Sequence, residues 1–190
     1  MPPLRSAQVT VWTAKNEQRR DRLRSDAGEW DFTCKGCCQE SVTLGIGGAD
    51  CTLKGFAHGP YGVRVERKEV NDFINSITNE RERFERQMKY MRQFPFRAVV
   101  VEWPSFSTLL DGLGRYERDR IFRSKAHWNG VRGSILHLSR RWCPIVFAGT
   151  REEARDYAWD FMFGVAEDFW ETCQALRVPG EALAPAGEGA

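Results

Sequence analysis

No stretch of this sequence approaches the roughly 20 consecutive apolar residues that span a bilayer. The opening Met1-Pro-Pro-Leu-Arg-Ser lacks the apolar core of a signal peptide, so a cytoplasmic protein is expected. Internal repeats are absent, which removes solenoids and repeat arrays. Net charge is scarce as well: +2 over 190 residues, a total that by itself marks no polyanion binder. The six cysteines lack regular spacing, and a cytosolic setting keeps thiols reduced. Cys34-Lys-Gly-Cys37-Cys38, with Cys51 and His58 further on, supplies one tidy pair. A structural zinc site needs four ligands, usually as two close pairs, so buried or free thiols are the favoured reading.

The composition is that of one globular domain, with 42% apolar and 28% charged residues. That length buries a substantial core. Residues 1–175 are expected to form the domain, with its core at about 42–165 and a disordered tail at 176–190. Charge is unevenly spread. From Gly112 to Trp142 eight basic residues face two acids, a net +6; from Arg151 onward nine acids face three basic residues, a net −6. A positive face of this kind can hold a phosphate backbone, with Arg115, Arg118, Arg123 and Lys125 as the best contacts; a solvated, salt-bridged surface explains the run equally well. Arg81, Arg83, Arg86 and Lys89 interleave with Glu80, Glu82 and Glu85, a pattern that suits a self-paired solvent face.

Strand and helix signals alternate. Val9 to Trp12 is β-prone, and Val42–Leu44 and Ala49–Leu53 bracket Gly45-Ile-Gly-Gly48 as extended pieces around a turn or bulge. From Tyr61 to Lys68 the residues alternate, with Val63, Val65 and Arg67 on one face and Arg64, Glu66 and Lys68 on the other. Asn71 or Asp72 is a candidate cap for a helix carrying Phe73 and Ile77. A second helix, from Glu80 to Arg92, sets Phe84, Met88 and Met91 on one stripe. Arg97 to Trp103 and Pro144 to Ala148 suit buried strands. Trp128, Val131, Ile135, Leu138 and Trp142 step as an amphipathic helix, and Thr150-Arg-Glu-Glu153 is a capping box opening another. The aromatics Trp159, Phe163, Phe169 and Trp170 exceed what one helix face buries, which points to a second packing layer or a homodimer. The alternation predicts a three-layer α/β architecture.

Chemistry concentrates on the Tyr61–Lys68 strand. Residues two apart on a strand share a face about 7 Å apart, so Glu66 and Lys68 project together. Asp50, on the preceding extended piece, can meet Glu66 once the loop from Lys54 to Pro60 returns the chain. Two carboxylates can hold Mg²⁺ or Mn²⁺, hard cations that favour oxygen ligands. A nearby ammonium can orient a water or offset charge on a reacting phosphate. Glu102 and Glu17 are possible additional acids. On spacing alone, an exposed polar strand face is the more economical account of Glu66 and Lys68.

The run Val65-Glu-Arg-Lys-Glu-Val-Asn-Asp72 resembles the XPF-type excision-repair nuclease family, whose signature is Gly-Asp, a variable gap, then Glu-Arg-Lys-x-x-x-Asp. Glu66, Arg67, Lys68 and Asp72 match the second part, and Asp50 matches the first, with Ala49 in place of glycine. The likeness continues through Val99-Val-Val-Glu102 and Pro144-Ile-Val-Phe-Ala-Gly149, and covers roughly Ala49 to Phe163. It implies a restriction-endonuclease-like fold with a central mixed sheet, and cleavage of DNA, often branched or flapped, with Mg²⁺ or Mn²⁺. By that likeness Asp50 and Glu66 hold the metal, Lys68 acts at the water, and Arg67 and Asp72 support the site.

Two features depart from the family. Where relatives carry Asp-x-Arg-Glu on the first strand, Ala14-Lys-Asn-Glu-Gln18 stands here, so Ala14 replaces an acid and Asn16 an arginine while Glu17 is kept. The sequence also stops before the paired helix-hairpin-helix module of many relatives, which suggests a small stand-alone nuclease of a bacterium or phage. A catalytically weakened DNA-binding relative is the alternative that Ala14 favours. A homodimer is expected from the family.

Overall fold

A computed structural model of the chain describes residues 3–14, 31–42, 44, 49–114, 122 and 125–176. Asn16, Glu17, Gly45, Gly47, Gly48, Arg115, Arg118 and Arg123 lie outside the described residues, as does the 177–190 tail. The elements in chain order are β1 (Thr10–Ala14), β2 (Cys38–Val42), β3 (Cys51–Leu53), β4 (Val63–Glu69), α1 (Val70–Ile77), α2 (Arg81–Met91), β5 (Phe96–Glu102), α3 (Phe106–Gly114), α4 (Trp128–Arg141), β6 (Ile145–Phe147) and α5 (Arg151–Ala175).

The six strands among the described residues form one sheet in the order β2-β1-β3-β4-β5-β6. It is mixed. β1 runs parallel to β2, β3 runs antiparallel to both β1 and β4, and β4, β5 and β6 are mutually parallel neighbours. The extended pieces on either side of the glycine run therefore do not pair with each other, contrary to the simplest turn reading: β1 lies between β2 and β3 and bonds both.

The period-two pattern of β4 and β5 divides the apolar interior in two. Val63, Val65, Ala98 and Val100 face one way and pack with Val11, Leu53 and, from α5, Ala158, Trp159, Met162 and Val165. Val99 and Val101 face the other way, onto Phe73 and Ile77 of α1, Met88 of α2, Leu109 of α3 and Ile135 of α4. Each buried Val, Leu, Ile, Phe or Met side chain among these contributes about 1.5–3 kcal/mol. Helices thus cover both faces, giving the three layers that the alternation of elements predicts.

Local chemistry fixes the joints. Thr150 accepts from the Glu153 N–H while the Glu153 carboxylate accepts from the Thr150 N–H, so the capping box opens α5 as expected. Gly149, at φ 80°, makes the turn from β6 into it, and a Cβ there would run into the Glu153 carboxylate. Phe169 is absorbed within the molecule, edge-on to Phe56 and Tyr61, and Trp159 stacks on Phe163. Two expected burials are incomplete. β6 is only half-buried because it closes the sheet as an edge strand, and Trp128, in the first turn of α4, is 38% exposed.

Candidate active site

β4 carries the chemistry because it lies inside the sheet yet ends in polar residues. Its ladder to β5 runs without a break from Val63↔Phe96 to Glu69↔Glu102, so the alternation read from the sequence is the alternation of the fold. Glu66 and Lys68 project from the face that carries Val99 and Val101. Arg67 projects from the other. The antiparallel pairing of Cys51 with Val65 delivers Asp50, one step along, to the middle of β4. There its Oδ2 accepts the Arg67 main-chain N–H at 2.9 Å. The geometry therefore brings Asp50, Glu66 and Lys68 together, although they are distant or alternate in sequence.

Glu66 is only 3% exposed. Its Oε1 lies 2.9 Å from Lys68 Nζ, while its Oε2 is buried and accepts no hydrogen bond among the described residues. Lys68 Nζ also reaches Asp72 Oδ2 at 3.2 Å and sits over the Phe84 ring. Burial works against the ammonium charge, but the Glu66 and Asp72 carboxylates outweigh it and hold Lys68 above the ordinary lysine range. Asp50 moves the other way for a carboxyl. Burial first, and the Glu66 charge second, push it up to about 7, against the pull of Lys68 and the Arg67 N–H.

The surrounding polar groups hold this set in place. Arg67 Nε and Nη2 donate to Glu102 Oε1 and Oε2 at 2.6 and 3.1 Å, on the face of the sheet opposite Glu66. Both oxygens of Glu102, a possible additional acid from the sequence, thus bind a guanidinium. α1 is capped not by Asn71 or Asp72 but by Glu69, whose carboxylate accepts from both their N–H groups. The β4–β5 ladder holds Glu69 extended and the helix begins at Val70, so Asp72 falls in the first turn, aimed back at Lys68. Ala14 ends β1, and its N–H donates to the Asp50 carbonyl at 2.7 Å. Ala14, the position expected from the resemblance to hold an acid, therefore adjoins Asp50 through the main chain.

Other sequence candidates stand apart. Cys51 is buried in β3, His58 is exposed beside Phe94, and all six cysteines are free thiols. His127 caps α4 by accepting the Asn129 N–H at its Nδ1. Lys125 is exposed. Sequence reasoning did not single out Arg64, which shares the face of Glu66 and is 1% exposed. Its guanidinium donates to Thr52 Oγ1, Val63 O and Ala57 O and lies 4.3 Å from the Phe94 ring centre. The period-two pattern gave its face, but its burial depends on the return of the 54–60 loop and of Phe94.

Among the described residues no three His, Cys, Asp or Glu side chains converge as a ready ligand set. The Asp50–Glu66 pair nevertheless fits a hard divalent cation. It offers oxygen donors only, one of them stranded among the described residues, and the Glu66 charge disfavours a second negative charge on Asp50 beside it, which calls for positive charge. Mg²⁺ keeps several waters and needs only one or two protein carboxylates.

Two solved structures resemble this fold. XPF from Aeropyrum pernix superposes with a TM-score of 0.56 at 14% identity, covering 81% of this chain and 60% of that one. XPF from Aeropyrum pernix in complex with DNA gives a TM-score of 0.48 at 15% identity, covering 86% of this chain and 66% of that one. The chain thus spans about 60% of the length of the first. The likeness places it in the restriction-endonuclease-like α/β fold. A search of curated proteins found no match. The ERCC4 domain model matches residues 13–159, a span that holds every strand of the sheet except the first residues of β1 together with Asp50, Glu66 and Lys68, and by that match the chain belongs to the ERCC4 domain family.

Proposed function

We propose that this protein is a divalent-metal-dependent endonuclease that hydrolyses phosphodiester bonds in DNA, with branched or flapped DNA as its preferred substrate. The observation that carries the reading is the buried Asp50–Glu66–Lys68 set with the stranded Glu66 Oε2, in a chain of the ERCC4 domain family. Asp50 and Glu66 would hold Mg²⁺ or Mn²⁺. When bound, such an ion lowers the pKa of a water and offsets charge on the phosphate under attack.

The chain's own groups do the rest. Asp50 is held by the Arg67 N–H, so its carboxylate is oriented before substrate arrives. Lys68 stays protonated between Glu66 and Asp72. From there it orients the attacking water and meets the negative charge that grows on the phosphoryl oxygens. Water oxygen bonds to phosphorus and gives up a proton to solvent, the bond from phosphorus to the leaving sugar oxygen breaks, and solvent returns a proton to that oxygen. The Arg67–Glu102 pair acts at one remove, by fixing the strand that carries all three groups.

Ala14 favours a second reading, a DNA-binding relative with weakened catalysis, because the family's acid is missing beside Asp50. Cleavage of labelled duplex, single-stranded, flap and fork DNA in Mg²⁺, Mn²⁺ or EDTA separates the two. Metal-dependent cutting, ranked by structure and reduced at least ~100-fold in Lys68→Ala, is expected for the enzyme. DNA binding without cutting in either metal would leave the second reading in place.

A further inference from the structure

The exposed arginines of α2 fall into two groups. Near its start, Arg81 pairs with Glu85 and Arg83 with Glu80, the self-paired face expected from the sequence. Further on the pairing stops. Between Arg86 and Val101 there are four basic residues and no acid, and Lys125 to Thr150 likewise contains no aspartate or glutamate. The fold brings these two acid-free segments together. Arg92 just past α2 lies over the ring of Trp142 just past α4, and Arg97 donates to the Trp142 carbonyl.

Trp142 is the hub of this surface. The Arg92 and Arg141 guanidiniums lie 5.7 and 4.7 Å from its ring centre, and Arg97 Nε donates to its carbonyl at 3.0 Å. Its own Nε1 is buried beneath them, with no acceptor among the described residues. Alongside, Arg86, Lys89, Tyr90 and Gln93 line a shallow concavity on α2. Among the described residues, Arg86, Lys89, Arg92 and Arg141 have no carboxylate within ion-pair distance. Helix C-termini favour cations by about 0.3–1 kcal/mol each, which accounts for one or two such residues but not for the loss of every acid from both segments. Positive charge gathered without counter-charge is a surface shaped for a polyanion.

The near edge of this surface is offset from the carboxylates along the sheet. Arg97, the second residue of β5, stands two residues before Val99, the partner of Glu66, an offset of roughly 7 Å by strand rise, or about two base pairs at ~3.4 Å per pair. We propose that Arg86, Lys89, Arg92 and Arg141 form a second DNA contact, an anchor for the phosphate backbone of a duplex arm that extends from the Asp50–Glu66–Lys68 site over α2 to Trp142. The proposal rests on the nuclease reading for its substrate. It adds where the uncut arm is held, and it makes the anchoring sequence-independent, since phosphates carry no base code.

The test is binding, measured apart from cleavage. Fluorescence anisotropy of a labelled 20-base-pair duplex is followed in EDTA from 50 to 300 mM salt, with Lys68→Ala protein and with the same protein also carrying Lys89→Gln, Arg92→Gln and Arg141→Gln. Each phosphate contact contributes about 0.9 to the slope of log affinity against log salt, so the triple change should flatten the slope by ~2–3 and weaken binding at least ~tenfold at low salt. Keeping charge with Arg92→Lys and Arg141→Lys should restore both. An unchanged slope with a lowered melting temperature would show cations that serve only the helix ends, and would overturn the proposal. So would no duplex binding by the Lys68→Ala protein, or equal competition from polyglutamate of matched charge. Cleavage by the unmodified protein is scored separately. A flattened slope in a protein that never cuts DNA would sink the nuclease reading and keep the anchor, while a steep slope in an active nuclease would do the reverse.

Discussion

At the scale of single residues, Asp50 and Glu66 place two carboxylates where water is largely excluded, and proton affinity reports the strain. Asp50 titrates at about 7 in the fold against 3.8 when free, because burial and Glu66 disfavour its charge. With the folded pKa raised, the native state binds the extra proton between those values, so metal-free stability falls as pH climbs from about 4 through 7. Asp50→Asn removes that loss. In EDTA at pH 8 it should melt higher than the parent, by on the order of 1–3 kcal/mol, with the difference vanishing below pH 4. Thermal melts at the two pH values check this; a less stable variant at pH 8 would mean that the Asp50 carboxylate is stabilised as an anion. Alternation along β4 put Glu66 and Lys68 on one face from the sequence alone, while the pairing of Glu66 with Asp50 was read from the family resemblance. The burial of Arg64 was not legible, since Thr52, Ala57 and Phe94 come to it from three other segments.

Elements join the site most tightly where β4 runs directly into α1. Glu69 is the last residue of the ladder and the cap of the helix at once, bonding Asn71 and Asp72. Glu69→Ala should cost about 1 kcal/mol, read as a lower urea midpoint at constant m-value. Because the freed turn carries Asp72, the same variant should also lose activity several-fold while Asn71→Ala loses less. Capping preference pointed to Asn71 or Asp72 because short polar side chains are better caps than Glu. The ladder overrode that preference by keeping the chain extended through Glu69. Non-local pairing also decided the glycine run: nothing between Val42 and Ala49 announces that β1 enters between β2 and β3. The capping box at Thr150 needed only residues three apart, and it was readable. Thr150→Ala should therefore destabilise the fold by about 1 kcal/mol without altering cleavage at saturating metal, a split that combined melting and activity measurements would reveal.

Across the whole molecule, the mixed sheet separates two apolar interiors and carries the carboxylates between strands that adjoin both. α5 and the Arg67–Glu102 pair lie behind the site, while α1 and α2 lie in front. That layout makes the fold itself the device that holds Asp50 against Glu66, and a cation bound between them stabilises the native chain by mass action, about 2.7 kcal/mol at a hundredfold excess over its dissociation constant. Metal should thus raise the melting temperature of the parent and leave Glu66→Gln unmoved. Layers and family were legible from the alternation of elements and from the Glu-Arg-Lys run. The division of basic charge into a paired and an unpaired part was not, because it depends on which helices the sheet sets side by side. The central claim, that Asp50 and Glu66 form one metal site that makes this chain a working DNA nuclease, is tested most directly by single-turnover cleavage of labelled flap DNA titrated with Mn²⁺, using the parent and Glu66→Gln. Saturable cutting by the parent, abolished by EDTA and reduced at least ~1,000-fold in the variant, is the predicted result. Equal cutting by both proteins, or cutting that survives EDTA, would contradict it.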